Sequence, residues 1–235
     1  MNQFDQRNYS IIQRVNTGVQ SFLSQVYGWM VAGLLLTAFV AMYSLNSGIF
    51  ITIATNNVLF FCMIIAELSL VMGLTFLLPK LSAALATGMF MLYSLLTGLT
   101  TSVVLAVYTG ESIASTFVIT AIMFGALSFY GYTTKRSLTG IGNFLFMALI
   151  GIVLTSIINI WMQSSAMHWM ITYVGVLVIA VLTAYDTQKL KNMGLQINEN
   201  DKEMMRKYSI MGALSLYLDF INLFLMLLRI LDNRR

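Results

Sequence analysis

Three carboxylic acids lie inside long apolar stretches of this sequence: Glu67, Asp186 and Asp219. The other six of its nine acids fall in polar segments, at Asp5, Glu111, Glu199, Asp201, Glu203 and Asp232. No Lys or Arg lies within the apolar stretches, so the three acids must be protonated, hydrated, paired with one another or bound to a cation. Acids in such surroundings are costly and commonly functional, so we treat these three as the candidate site.

Two carboxyl groups that share one site form a proton-sensitive pair, because their titrations are coupled. When both are ionised they repel each other and offer hard oxygen ligands suited to Ca²⁺. Simpler interpretations stay open. Asp186 lies near the end of its apolar run, where water, Lys189 or Lys191 could neutralise it. Glu67 and Asp219 lack such an exit, and each could make a structural hydrogen bond between helices.

The composition requires a lipid bilayer as the solvent for most of the chain. Of the 235 residues, 58% are apolar, 9% are charged and one is proline. A soluble domain needs about a quarter of its residues charged.

The bases are spread over short connections, so we expect no nucleic-acid partner. A single cysteine, Cys62, and a single histidine, His168, exclude a disulfide framework and metal sites built from several such ligands.

Seven apolar runs are long enough to cross a membrane, which takes about 20 helical residues. We therefore predict an all-α integral membrane protein with a polar segment at 1–21, a seven-helix membrane domain at 22–231 and a charged connection at 189–207. The first polar residues do not resemble a cleaved signal peptide, so we expect the N-terminus to be retained. The predicted helices are 24–45, 58–78, 83–107, 112–132, 143–163, 168–188 and 208–228.

Ten of the thirteen bases fall on one side of the predicted membrane domain. They precede the first run, follow the second and fourth, and lie between the sixth and seventh. The positive-inside rule then places the N-terminus in the cytoplasm. Arg229, Arg234 and Arg235 do not fit this pattern. Either the seventh helix crosses completely, which we favour, or it enters the protein and returns.

Polar residues accompany Asp219 on the seventh helix. Ser215, Asp219 and Asn222 are spaced to share one helical face, so we place this helix in the centre of the bundle with its polar face lining a cavity.

The depths of Asp186 and Asp219 in the membrane set a condition on whether the two can pair. At 1.5 Å per residue, Asp219 lies roughly 16 Å from the start of its run and Asp186 about 5 Å from the end of its own. A direct pair requires the seventh helix to begin deep in the protein or the sixth to extend inward; otherwise Glu67 matches Asp219 better.

Gly98 in the third apolar run and Gly151 in the fifth suggest close helix contacts. Five segments of the sequence carry a further signal: Gln25-Val-Tyr-Gly-Trp-Met30, Leu92-Tyr-Ser-Leu-Leu-Thr-Gly-Leu99, Gly131-Tyr-Thr-Thr-Lys-Arg136, Ala184-Tyr-Asp-Thr-Gln-Lys-Leu190 and Leu216-Tyr-Leu-Asp-Phe-Ile-Asn222. Together they resemble the Bax inhibitor-1 family of membrane proteins over nearly the whole chain.

The resemblance implies a multi-pass protein of the bacterial inner membrane with a central last helix. It also implies a pH-sensitive leak channel for calcium, in which Asp186 and Asp219 act as proton sensor and gate and Glu67 as a pore acid. Calcium would be the permeant ion, with transient contact at these acids and no cofactor. An arginine that the family carries about three turns after the pore acid is replaced here by Leu78, so Lys80 is the nearest base. The expected supporting polar residues are Tyr185, Ser215, Asn222 and Lys80.

Two alternatives belong to other functional classes. The aspartates resemble the dyad of intramembrane aspartyl proteases. However, Leu216-Tyr-Leu-Asp219 stands where those enzymes have Gly-x-Gly-Asp, and their Pro-Ala-Leu element is missing, so we do not expect an enzyme. The second alternative is a regulator of membrane-protein quality control or stress, which would bind membrane-protein partners through the 189–207 connection.

Overall fold

The structure is a computed structural model that describes the backbone of residues 3–197 and 201–231, with side chains from Thr17 onward. Glu199, Asp232, Arg234 and Arg235 lie outside the described residues. Every regular element within those ranges is helical. The elements are α1 Gln3–Ser47, α2 Ile49–Thr55, α3 Asn57–Leu77, a 3-10 turn Leu78–Lys80, α4 Ala83–Leu105, α5 Gly110–Thr133, α6 Thr139–Met162, α7 Ser165–Gly194 and α8 Lys202–Leu231.

Side-chain caps and backbone breaks set the helix boundaries. The Asn56 side chain accepts a hydrogen bond from the backbone N–H of Leu59 at the start of α3, and Ser82 accepts one from Leu85 at the start of α4. Such caps satisfy backbone donors that have no partner inside the helix. Gly48, with φ of 77°, separates α1 from α2. Gln163, with φ of 49°, ends α6.

The predicted fold class is confirmed, because seven of the described helices are long and apolar enough to cross a membrane: α1 and α3 to α8. Several helices extend beyond their apolar runs. The backbone of α1 is already helical at Gln3, and α7 and α8 together take in most of the connection predicted at 189–207. Hydropathy marks the part of a helix that suits lipid and not the point where its hydrogen bonding ends. The short helix α2 was not predicted.

One compact unit consists of Met1–Val107 and Leu190–Tyr217. In it α1 packs mainly against α4. Gly98 makes this approach possible, because a Cβ there would lie 2.8 Å from the carbonyl oxygen of Thr37. Tyr217 is fully buried in this unit, with its ring edge-on to Phe90 and Tyr93. The close contact predicted at Gly98 is thus confirmed, whereas no atom approaches a Cβ at Gly151, where the prediction is wrong.

The other compact unit consists of Tyr108–Lys189 and Leu218–Arg235. Its core includes Ile179 of α7 with Leu223 and Leu227 of α8. Phe220 of α8 packs edge-on against Phe117 and Phe124 of α5, with ring centroids 5.4 and 5.5 Å apart. These contacts fix the second half of α8 against α5 and α7.

The last helix contributes to both units and is the most buried of the seven. Of its most apolar 18 residues 61% are buried, against 11% for α3 and for α6. It continues without a break from Lys202 to Leu231, so the alternative in which it enters and returns is wrong. Arg229 near its end lines a cavity with Ser164 and Ser165, at the turn between α6 and α7. In this unit, therefore, the far end of α8 lies where α6 passes into α7.

Candidate functional site

The carboxyl group of Asp219 is buried without full hydrogen bonding. The side chain is 8% exposed, and its Oδ2 atom has no hydrogen-bond partner among the described residues. Native proteins rarely leave a buried polar atom unsatisfied, so each exception requires an explanation. The charged neighbour that acts on this carboxyl group is Asp186, another acid. Asp186 and Asp219 belong to the same compact unit.

Asp186 occupies a less enclosed position on α7. It is half-buried, and the nearest opposite charge is Lys189, which follows it by one helical turn and is exposed. The two interpretations of Asp186 from the sequence, a pair with Asp219 and an interaction with Lys189, both stay predictions. Asp219 is the more buried of the two aspartates.

The register between α7 and α8 sets the relative levels of Asp186 and Asp219. On α7, Gly175 faces Met226 of α8, whose sulfur would lie 2.6 Å from a Cβ on the glycine. Thr172 accepts a hydrogen bond from Arg229 in the same antiparallel register. Counting back along both helices places Asp219 about one helical turn from the level of Asp186.

The predicted difference in depth between Asp186 and Asp219 was counted from the ends of their apolar runs. That count assumes that the end of the sixth run and the start of the seventh lie at the same level. In the first unit Gly212 of α8 lies against Leu190 of α7, with 2.6 Å between a Cβ on the glycine and Leu190 Cδ2. That register puts Gly194 level with Tyr208. The first residues of α8 therefore continue about 9 Å beyond the end of α7. The prediction that the seventh helix must begin deep in the protein is wrong, because the first turns of α8 extend beyond the end of α7.

Two glycines hold the segment of α7 that carries Asp186. Gly131 of α5 lies against the backbone of Ala184, where a Cβ would be 2.9 Å from the Ala184 Cα and carbonyl carbon. Gly142 of α6 lies against the ring of Tyr185, whose hydroxyl oxygen would be 2.8 Å from a Cβ. Tyr185, predicted as a supporting polar residue, thus packs against the start of α6 directly before Asp186. Close packing from both sides fixes the position of this carboxylate.

Gln188 adds a polar clamp that the sequence analysis missed. Its side-chain nitrogen donates to the carbonyl oxygen of Arg136 at 2.8 Å, and its side-chain oxygen accepts from the backbone N–H of Leu138 at 2.7 Å. Both partners belong to the connection between α5 and α6. The signal in the sequence was an amide side chain at the very end of an apolar run, two residues after the candidate acid Asp186.

Glu67 belongs to the first unit and has a partner of its own. The Thr100 hydroxyl donates to Glu67 Oε1 at 2.8 Å, and the carboxyl group is half-buried. Lys80, predicted as a supporting polar residue, is exposed beyond the end of α3, thirteen residues or about 20 Å along the chain from Glu67. Leu78, which replaces the family's arginine, is buried at 3% exposure. The supporting role of Lys80 stays a prediction.

The polar face predicted on the last helix is only partly buried. Ser215 is half-buried and Asp219 buried, but Asn222 is exposed. The buried face of α8 at this level instead follows Phe220, Leu223 and Phe224. The three residues of the predicted face therefore differ in exposure, and their role in lining a cavity stays a prediction.

A group of buried hydroxyls in the first unit was also missed. Tyr217 and Thr37 share a hydrogen bond of 2.6 Å, and Thr37 also donates to the carbonyl oxygen of Ser94 at 2.8 Å. The spacing of Ser94, Thr97 and Thr101 places them on one face of the fourth run and could have indicated this group. These bonds connect α1, α4 and α8.

No group of three or more metal-binding side chains occurs among the residues that the structure describes. Protein sites that retain Ca²⁺ use six to eight oxygen ligands. Asp186 and Asp219 alone supply too few ligands for such a site.

The fold and the site define a multi-pass helical membrane protein with an acid on each of its last two helices, Asp186 half-buried and Asp219 buried. Comparison with known proteins agrees: a family model described as "Inhibitor of apoptosis-promoting Bax1" matches residues 19–235, so the chain belongs to the Bax inhibitor-1 family. It is 61% identical over 230 residues to the inner membrane protein YbhL of Escherichia coli, covering 97% of this chain and 98% of that protein.

More distant relatives match over a similar length. An uncharacterized protein of Borreliella burgdorferi is 42% identical over 215 residues, which are 91% of this chain and 92% of the relative. An uncharacterized membrane protein of Streptococcus pyogenes is 32% identical over 226 residues, which are 95% of this chain and 97% of the relative. Together with the seven apolar helices, the relationship to YbhL supports a multi-pass protein of the inner membrane.

Proposed function

We propose that this protein is a passive leak pathway for Ca²⁺ across the inner membrane, gated by protonation of Asp186 and Asp219. The observation that carries the proposal is the Oδ2 atom of Asp219, which is buried, has no hydrogen-bond partner among the residues that the structure describes and belongs to a carboxyl group whose charged neighbour is another acid. A purely structural acid would be expected to have its hydrogen bonds satisfied.

The arrangement gives the pair two distinct states. Burial of an ionised carboxylate without compensation costs several kcal/mol, and a second negative charge nearby adds to that cost. One proton on the pair removes a charge and lets one oxygen donate to the other. Loss of that proton leaves two negative groups that separate or attract a cation. A change of protonation thereby becomes a change of packing between α7 and α8.

Calcium fits the pair by ligand chemistry. Carboxylate oxygens are the hard ligands that Ca²⁺ prefers. Two carboxylates fall short of a full coordination shell, so an ion there would keep much of its water and would leave readily. Glu67, held by Thr100 in the other unit, is the remaining membrane acid and serves in this proposal as a pore acid.

The test is calcium flux from liposomes that contain the purified protein, measured with a trapped indicator over a range of pH. Wild-type protein should show a pH-dependent leak. Asp186→Asn and Asp219→Asn should each abolish the pH dependence, since neither amide can release a proton at these pH values. Glu203→Gln, which removes an exposed acid from the first turn of α8, is the control. Equal flux from wild type and both aspartate variants at every pH would refute the proposal.

A further inference from the structure

A cavity of about 680 Å³ lies in the second unit, where α6 ends and α7 begins. Arg229 of α8 is one of its walls, together with Asn159, Gln163, Ser164, His168 and Trp169. We propose that this cavity binds a phosphate oxyanion, which the phospholipid headgroups beside this end of the protein supply. The site is separate from the aspartate pair, because Arg229 lies ten residues or about 15 Å along α8 from Asp219.

The charge and donors of the cavity suit an oxyanion. Arg229 is half-buried, and its guanidinium group carries five N–H donors. The Nη1 atom donates to the Thr172 hydroxyl at 3.3 Å, which orients the planar group from one side. The planar fork of N–H donors matches phosphate oxygens two at a time. None of the described residues that line the cavity is acidic, and the polar ones besides Arg229 and Trp169 are serines, an asparagine, a glutamine and His168.

The turn that forms one wall is held by its own hydrogen bonds. Asn159 Oδ1 accepts from the backbone N–H of Ser164 at 3.0 Å, and its carbonyl oxygen accepts from Gln163 at 2.8 Å. The Ser164 hydroxyl in turn accepts from the backbone N–H of Met167 at 3.3 Å. These bonds preorganise the wall, so binding an anion requires little ordering of the chain.

The surroundings favour a lipid as the source of the phosphate. Trp169 stacks on Tyr173 with ring centroids 5.7 Å apart, and the two side chains are 42% and 53% exposed. Exposed Trp and Tyr on membrane helices concentrate at the level of the headgroups. The neighbouring side chains of Ile160 and Met170 are exposed as well and offer an apolar surface for an acyl chain. A headgroup phosphate in the cavity would place its chains along this surface.

Native mass spectrometry of the detergent-purified protein tests the proposal with two lipids. Phosphatidylglycerol carries the phosphate, and diacylglycerol has the same acyl chains without it. Wild type should retain phosphatidylglycerol in preference to diacylglycerol. Arg229→Gln should weaken that retention about tenfold, as expected for the loss of charge-assisted hydrogen bonds. Arg136→Gln removes an exposed arginine from the connection between α5 and α6 and should leave retention unchanged.

A second arm separates the two sources of phosphate and guards against misfolding. Inorganic phosphate is added both in thermal unfolding and in competition with phosphatidylglycerol. If it fails to displace the lipid, the headgroup is the ligand; if it displaces the lipid and stabilises wild type but not Arg229→Gln, free phosphate also binds. Arg229→Lys keeps the charge without the fork and should retain an intermediate amount of lipid. Equal retention of phosphatidylglycerol by wild type and Arg229→Gln, or equal retention of both lipids by wild type, would overturn the proposal.

Discussion

Glu67 and Asp219 are the same kind of group in the same kind of sequence, a carboxyl group near the middle of an apolar helix. In the structure their surroundings differ. Glu67 is half-buried on α3 and accepts a hydrogen bond of 2.8 Å from Thr100. Asp219 is 8% exposed on α8, its Oδ2 atom has no partner, and its charged neighbour is Asp186.

The difference teaches that an acid inside the membrane is not by itself a gate. A hydroxyl donor satisfies one oxygen of Glu67 in the packed structure. Only a proton or a cation can satisfy the Asp219 oxygen, so the protonation or ion contact of this group depends on the solution. In the proposed function we therefore assign the response to pH to Asp186 and Asp219 and only a pore contact to Glu67.

The largest expected effect comes from replacing the two acids one at a time. Asp219→Asn should abolish the pH dependence of calcium flux, whereas Glu67→Gln should change the size of the flux and keep its pH dependence. The reason is that only the aspartate has an acid as its charged neighbour. Flux assays in liposomes at a series of pH values measure both. If Glu67→Gln abolished the pH dependence and Asp219→Asn did not, the two roles would have to be exchanged.

The next largest effect is expected from Gly131→Val, which should lower the stability of the protein. The new side chain would meet the backbone of Ala184 and push α7 away at the residues directly before Asp186. Overpacking of this kind costs about 1–3 kcal/mol, and backbone contact leaves no side chain to rotate aside. Gly125→Val on the same helix is a matched control, since nothing lies within 4 Å of a Cβ there. Thermal unfolding in detergent should distinguish them; equal melting temperatures would contradict the close contact.

Gln188→Leu tests the clamp beside the aspartate pair. The change removes both bonds to the connection between α5 and α6 and leaves the buried backbone N–H of Leu138 without its acceptor. A buried donor without a partner costs about 1–3 kcal/mol. We expect a lower melting temperature and a shifted pH response of the flux, because Asp186 lies two residues away. An unchanged pH response with lowered stability would limit Gln188 to a role in folding.

The smallest effect should come from Thr100→Val, which removes the donor to Glu67 while keeping the side-chain shape. Hydrogen bonds between membrane helices contribute about 0.6 kcal/mol on average. We expect a small loss of stability and no change in the pH dependence of the flux. Thr87→Val on the same helix, whose hydroxyl bonds only the carbonyl oxygen of Ala83 one turn earlier, is the control. A pH response that disappeared in Thr100→Val would show that Glu67 takes part in sensing.

The fold and the identity of the three acids could be predicted from the sequence. Apolar runs of sufficient length can only be membrane helices, and acids within them stand out from their surroundings. The relative levels of Asp186 and Asp219 could not be predicted by counting from the ends of apolar runs. It depends on contacts such as Gly175 with Met226, which set how far one helix slides past the other.

The partners of the acids were equally hidden in the sequence. Thr100 lies 33 residues from Glu67, and its hydroxyl resembles many others in apolar runs. Asn222 has the right spacing for the Asp219 face but is exposed, whereas Phe220 and Phe224 are buried. Spacing along one helix identifies a face, whereas its neighbours come from other helices.

The central claim is that Asp186 and Asp219 share one site, and infrared difference spectroscopy tests it most directly. The carbonyl band of protonated carboxyl groups would be followed through a pH titration in wild type, Asp186→Asn, Asp219→Asn and Glu67→Gln. Coupled groups titrate as a pair. We therefore predict that removing either aspartate moves the titration midpoint of the other, and that Glu67→Gln moves neither. An aspartate whose titration is the same with or without its companion would contradict the shared site.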